Sequence, residues 1–121
     1  MRISDALRVR DVIANNPNVK VNNVSPIVAD EMALYPYISY KRVGAEFDAW
    51  KRANGVAKVT MELAVWSDDY DESLRVAEQV MDVLSAEQGI YIQNCIEGYE
   101  NGAFYQDITI TVEGDKKQVY D

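Results

Sequence analysis

The sequence predicts one α+β domain, with a four- to five-stranded, mostly antiparallel sheet and two α-helices covering one face of that sheet. The chain has 121 residues, of which 48% are hydrophobic and 26% charged, which is typical of a single folded domain. Two segments repeat apolar residues at helical spacing, and others alternate apolar and polar residues as half-buried strands do. These segments follow in the order helix, strand, strand, strand, helix, strand, strand, which is typical of a layered α+β architecture.

The first helix is predicted over residues 4–15, where apolar side chains recur at three- and four-residue spacings. Ser4 or Asp5 is available to cap its amino end. The helix ends at Asn15-Asn16-Pro17, because proline cannot continue a helix. Its apolar positions are Ala6, Leu7, Val9, Ile13 and Ala14.

Extended segments follow the first helix. A short strand is predicted over residues 19–24, and another over residues 37–43, which are rich in aromatic and β-branched side chains and begin just after Pro36. Residues 27–34 fit either a helical turn or an irregular crossing. The clearest strand covers residues 57–66, because apolar and wetter positions alternate strictly there. Its predicted core-facing residues are Val59, Met61, Leu63 and Val65.

A second helix is predicted over residues 70–87 and ends at Gly89. A strand over residues 90–97, a turn over residues 98–102 and a last strand over residues 104–112 complete the sheet. The predicted buried stripe of the helix is Leu74, Ala77, Met81 and Leu84, and its predicted solvated side is Glu72, Arg75, Gln79 and Asp82.

These elements place one domain over residues 1–113, and residues 114–121 are predicted to be a polar, mobile tail. The 12 basic and 20 acidic residues give a net charge of -8, which repels phosphate backbones, so we expect no direct nucleic-acid binding. No apolar run approaches the ~20 residues that span a bilayer, and no signal-peptide pattern opens the chain. We therefore expect a cytoplasmic product with no membrane partner.

The sequence offers little for catalysis. It contains no histidine, which excludes Ser-His-Asp and Cys-His chemistry. The single cysteine, Cys95, is expected to be buried or half-buried and unreactive, because no basic group nearby would lower its pKa. The polar residues 67–72 favour helix capping over a calcium or magnesium site, since they open the second helix and their spacing lacks the glycine and the terminal glutamate of a calcium loop. We predict no catalytic residue, no metal site and no cofactor.

A long connection over residues 44–55 is the best candidate for a protein interface. It carries Phe47 and Trp50 among charged residues, with Lys51 and Arg52 beside them. Large aromatic side chains are favoured at protein interfaces because they supply contact area at low entropic cost. Replacing Phe47 and Trp50 with alanine is expected to abolish oligomers while leaving the monomer folded.

Three passages of the chain follow one another in a recognisable order. They are the helical start through Ile13, the aromatic strand YPYISY at residues 35–40, and MELAVWS at residues 61–67, which runs into a helix with Tyr70 and Glu72 in its first turn. In these passages, over residues 1 to about 112, the chain resembles the tail-terminator, or tail-completion, family of long-tailed phages and prophages. No catalytic residue is carried over from that family.

The resemblance implies a structural protein of the virion that is made in the bacterial cytoplasm and lies at the head-proximal end of the tail. It implies a hexameric ring that caps the tail tube, ends its polymerisation and offers a face to the head connector. The expected partners are other copies of the chain, the tail tube protein and a connector or neck protein. An acidic ring would also let DNA pass without binding it.

Two other readings stay open at the level of the sequence. Another neck or head-closure protein of a phage is also a small acidic ring-former. A small ligand- or peptide-binding regulatory module uses similar sheets, because fold does not fix function, and it predicts a deep pocket.

Overall fold

The structure, a computed structural model, describes residues 1–28, 33–47 and 55–114. Within these ranges the strands form one five-stranded sheet in the order β1-β2-β3-β5-β4. β1 lies parallel to β2, and the other neighbouring strands are antiparallel, so the predicted α+β fold is confirmed. The elements are a 3₁₀ turn Ile3–Leu7, helix α1 Arg8–Asn15, strands β1 Val24–Pro26, β2 Tyr37–Phe47 and β3 Val56–Ser67, helix α2 Tyr70–Ser85, and strands β4 Ile90–Glu100 and β5 Ala103–Glu113.

The hydrophobic core lies between one face of the sheet and the two helices. α2 contacts β3, β4 and β5, and α1 packs beside α2. Alternate residues of the strands face the helices, as the period of two in a strand requires. The four core-facing residues predicted for β3 are all buried, so that prediction is confirmed. The largest fully buried side chains are Ile13, Ile38, Leu63, Leu84, Ile108 and Ile110.

The buried face of α2 is rotated from the predicted stripe. Leu74 and Met81 are only half-buried, whereas Ser73 is fully buried. Apolar spacing alone treats Ser73 as a surface residue, but its hydroxyl donates to the carbonyl of Tyr70 at 2.7 Å and accepts from the Gln106 amide at 3.3 Å. These hydrogen bonds let a polar side chain enter the core. The buried residues of α2 are Ser73, Val76, Ala77, Val80 and Leu84.

The amino-terminal helix begins differently from the prediction. Its first turn is 3₁₀ and not α-helical, and Asp5 lies inside that turn, where its carboxylate accepts the backbone N–H of Arg2 at 2.7 Å. Leu7 and Ala14 are exposed, contrary to the predicted apolar stripe. Only Ala6, Val9 and Ile13 are buried, because a helix this short turns a single narrow face to α2 and the sheet.

Several predicted boundaries are wrong. The strand predicted over residues 19–24 lies later in the chain, at Val24–Pro26 of β1, so the two share only Val24. β2 continues through Phe47, so the predicted loop over residues 44–55 begins later, and a bulge at Val43 lets the pairing with β3 continue. β4 likewise continues through the predicted turn, which consists only of Asn101 and Gly102. Both turn residues have positive φ, as the tightest hairpin turns require.

Candidate assembly surface

The structure describes one of the four residues predicted to form an interface. Phe47 is the last residue of β2, and its side chain is 65% exposed. Trp50, Lys51 and Arg52 lie outside the described residues, as do residues 115–121 of the predicted tail. Phe47 is therefore accessible to a partner, and its role in an interface stays a prediction.

The face of the sheet opposite the helices, here called the outer face, carries the clearest surface feature. No helix in the described part of the chain covers it. The strand register sets its side chains in rows that cross β2, β3, β5 and β4 in turn. The residues of the outer face include Tyr37, Ser39 and Lys41 of β2, Glu62, Ala64 and Trp66 of β3, Tyr105, Asp107 and Thr109 of β5, and Asn94, Ile96 and Gly98 of β4.

An aromatic row crosses the outer face at one end of the strands. The ring centroids of Tyr35 and Tyr37 lie 5.4 Å apart, those of Tyr37 and Trp66 lie 6.3 Å apart, and those of Trp66 and Tyr105 lie 4.9 Å apart. These separations lie in or near the range in which aromatic pairs attract. The indole N–H of Trp66 donates to the hydroxyl of Ser39 at 3.2 Å, which fixes the ring orientation. The row is a rigid, amphipathic strip of the kind that suits a protein contact.

Asp107 lies in the next row of the outer face, opposite Ala64 on β3 and Ile96 on β4. Its Oδ1 atom is buried and has no hydrogen-bond partner among the described residues. Burial raises the pKa of this carboxyl, nearby Glu62 raises it further, and Lys41 lowers it. A partly buried carboxylate with an unpaired oxygen is a costly feature for a surface that stays unoccupied.

The described surface has depressions beside the aromatic row and beside the 3₁₀ turn. One of about 460 Å³ lies along the aromatic row, between Tyr37 and Trp66 on one side and Glu100 and Asn101 on the other. A second, of about 310 Å³, lies between the 3₁₀ turn and β2 and is lined by apolar side chains such as Leu7.

The outermost strand, β4, is more exposed than its sequence predicts. Cys95 is exposed, so the prediction of a buried or half-buried cysteine is wrong. The reason is the position of β4 at the end of the sheet, where it has one neighbouring strand. Its Sγ turns toward the side-chain oxygen of Gln106 at 3.8 Å, and desolvation, followed by the charges of Asp107 and Glu97, raises the pKa of the thiol. A raised pKa makes a poor nucleophile at neutral pH.

The acidic residues before α2 cap that helix, as predicted. The carboxylate of Asp69 accepts the backbone N–H of Asp71 at 3.2 Å. The hydroxyl of Ser67 donates to Glu72 at 2.7 Å and accepts the backbone N–H of Asp69 at 3.0 Å. Among the residues that the structure describes, no three histidine, cysteine or acidic side chains gather as metal ligands would.

Tyr37, Tyr105 and Asp107 were not among the interface residues predicted from the sequence. Each lies at an alternate position of a predicted strand, so the alternation of apolar and polar residues indicates on which face of the sheet its side chain lies. Their contact with one another depends on the order in which the strands join the sheet, because β5 inserts between β3 and β4. The order of the strands in the sheet cannot be predicted from the local alternation of apolar and polar residues.

A scan of protein-family models and a search of curated proteins both gave no match to this chain. No helix in the described ranges is both long and apolar enough to cross a bilayer.

Proposed function

We propose that this chain is a tail terminator of a long-tailed phage or prophage: a structural protein that forms a hexameric ring on the end of the tail tube, stops its polymerisation and joins it to the head. The observation that carries the proposal is the outer face of the sheet, which bears an aromatic row and lacks a covering layer in the described chain. The passages at residues 35–40 and 61–67, on which the resemblance to this family rests, include three members of that row.

The outer face of the sheet carries side chains that a solvated sheet face does not normally carry. An antiparallel sheet can keep one face in water when that face is polar. Here Tyr35, Tyr37, Trp66 and Tyr105 form a continuous strip, and Asp107 presents a carboxylate with one buried, unpaired oxygen. Contact with another protein would bury the rings and could supply a hydrogen-bond donor to the carboxylate. Both features therefore favour a face that is covered on assembly.

The charge of the chain fits a position on the DNA path. A net charge of -8 per copy makes a ring strongly acidic, and an acidic channel repels the phosphate backbone. DNA would then pass without binding. The proposed partners are a second copy of the chain, the tube protein and a connector protein, and the proposed location is the head-proximal end of the tail. This role needs no catalytic residue, and another neck or head-closure ring protein would use the same features.

The second candidate function is a peptide- or small-ligand-binding module. The depression of about 460 Å³ beside Tyr37 and Trp66 favours it, because ligand sites combine aromatic walls with a few polar groups. This candidate predicts a monomer or dimer that binds without forming a ring.

Tail tubes provide the test of the proposed function. The purified chain is added to polymerising tail tube protein of a long-tailed phage, and tube length and tube ends are measured by negative-stain electron microscopy. We expect shorter tubes, each with a ring on one end. Serum albumin added at equal mass is the control and should leave tube length unchanged. Tubes that grow to the same length with bare ends would contradict the proposal.

A further inference from the structure

β4 leaves one edge of the sheet unpaired within the described residues. It is the last strand in the sheet order and pairs with β5 on one side, with a bulge at Gln93. Long edge strands are usually protected by lysine, proline or a covering segment. β4 contains neither lysine nor proline, and Ile96 and Tyr99 are 61% and 63% exposed. Residues 94–100 therefore present a continuous edge that another strand can join.

The opposite side of the sheet has a second open edge. β1 pairs only with Ile38–Tyr40 of β2. Just after β1, the N–H of Ile27 donates a last hydrogen bond to the carbonyl of Tyr40 at 2.6 Å. Beyond this point no described strand pairs with the outer side of β2. Residues 41–47 thus form a second free edge, on which Val43 and Phe47 are exposed.

The directions of these two edges are matched. β2 is antiparallel to β3, β3 to β5, and β5 to β4, so β2 and β4 run in opposite directions within one copy. If a second copy is placed beside the first in the same orientation, its β2 is antiparallel to the first copy's β4. The joined sheets then continue the antiparallel alternation that exists inside each copy. A contact of this head-to-tail kind uses two different surfaces, and it repeats until it closes a ring.

Charge distinguishes this arrangement from the pairing of two β4 strands. β4 carries Glu97 and Glu100 and no basic residue, so two β4 edges would bring like charges together. The free part of β2 carries Lys41, Arg42 and Glu46. Within the described residues Lys41 pairs with Glu62 at 3.4 Å and Glu46 with Lys58 at 3.0 Å, so Arg42 is the basic residue available to a partner. Opposite charges therefore meet when β4 faces β2 of another copy, and electrostatic complementarity selects the head-to-tail partner.

We propose that β4 of one copy pairs, antiparallel, with residues 41–47 of β2 in the next copy, so that the ring is held by a sheet that continues from subunit to subunit. The occupant of each edge is a second copy of this chain. The inference rests on the proposed ring and identifies its subunit contact.

Cross-linking through the single natural cysteine tests the pairing. Cys95 lies on β4, so one introduced cysteine on β2 gives each copy one thiol for each edge. Arg42→Cys, Val43→Cys and Ala45→Cys sample the register, and diamide oxidises two adjacent thiols to a disulfide while it is itself reduced. At least one variant should give a ladder of covalent species up to the full ring on a non-reducing gel. Asp82→Cys, on the solvent side of α2, is the matched control and should stay at monomer mass.

The possible outcomes distinguish a failure of the strand pairing from a failure of the proposed ring. Light scattering on the wild-type chain in the same buffer reports whether a ring forms. A ring-sized wild type without cross-links in any β2 variant would overturn the strand pairing and leave the ring intact. Wild-type chain that oxidises to a disulfide dimer would show two β4 strands together and overturn the head-to-tail contact. A wild type that forms no oligomer, alone or on tubes, would overturn both proposals.

Charge reversal gives an independent test. Arg42→Glu and Glu97→Lys should each lower the fraction of ring by several-fold at low salt, because each places like charges across the contact. The double variant should recover most of the ring, since the charges then attract again in the opposite sense. Failure of the double variant to recover, with both single variants impaired and folded, would argue against this contact.

Discussion

The ring of Tyr105 on β5 lies directly over Gly98 on β4, its cross-strand neighbour. A Cβ atom added at Gly98 would overlap the Cζ, Oη and Cε2 atoms of that ring. The backbone of Gly98 has no positive φ, so glycine is needed here for close approach and not for its conformational freedom. Because Trp66 packs on the other side of Tyr105, the same glycine sets the position of the end of the aromatic row.

Gly98→Ala should therefore displace Tyr105 from the outer face. We expect a loss of ~1–3 kcal/mol in the free energy of unfolding, typical of overpacking, and a change in Trp66 fluorescence. Urea denaturation followed by fluorescence measures both. Gly44→Ala is the matched control, since nothing lies within 4 Å of the added methyl group. Equal stability of the two variants would show that Tyr105 has room to move.

Asp107→Asn should stabilise the chain at neutral pH. The folded-state pKa of Asp107 is raised by burial and by Glu62, above the ~3.9 of an unfolded aspartate. The folded state therefore holds this proton to higher pH than the unfolded state, and the charged carboxylate costs stability as pH rises through the folded pKa. The advantage of the variant should be largest at pH 7 and disappear below about pH 4.

Thermal denaturation across that pH range measures the difference. Asp82→Asn on the solvent side of α2 is the control and should change stability little at any pH. A wild-type chain that is more stable than Asp107→Asn at pH 7 would mean that the carboxylate has a favourable partner.

Ser73→Ala should destabilise the core more than its size suggests. Ser73 is fully buried and accepts the amide of Gln106, which is 3% exposed. Without the hydroxyl, a buried amide N–H is left unpaired, which costs ~1–3 kcal/mol. Ser85→Ala is the matched control, because its hydroxyl also donates to a carbonyl of α2, at 2.6 Å, but in an exposed position. Chemical denaturation should show a loss for the first variant and little change for the second.

Asp69→Ala should remove the amino-terminal cap of α2. The carboxylate of Asp69 accepts the N–H of Asp71, and losing such a cap costs ~1 kcal/mol. Asp68→Ala, one residue earlier and exposed, makes the same change of charge without the cap and should have a small effect. Similar melting temperatures for both variants would indicate that water replaces the cap.

The spacing of apolar and polar residues correctly predicted features that depend on short stretches of the chain. The strict alternation in β3 gave the buried side chains of that strand, and Asp69 was placed correctly at the start of α2. The burial of Ser73 and Gln106 was not predicted, because the hydrogen bond between these two polar side chains joins α2 to β5. The exposure of Cys95 was not predicted either, since an apolar strand at the edge of a sheet has the same sequence pattern as one at its centre.

The candidate surface was harder to predict than the fold. The sequence directed attention to Phe47, which lies on the free edge of β2, and to the loop after it, but not to the outer face or to the edge of β4. Tyr37 and Tyr105 are 68 positions apart and meet through Trp66 only because β3 lies between their strands. The strand register and the strand order depend on contacts between distant parts of the chain, so local patterns in one sequence do not predict them.

The mass of the wild-type chain in solution shows whether copies of the chain assemble into a ring. Light scattering coupled to size-exclusion chromatography, over a range of protein and salt concentrations and with tail tubes added, reports whether copies associate. We expect a species near six times 13.7 kDa, in free solution or bound to tube ends. A chain that remains a monomer under all of these conditions would contradict this expectation.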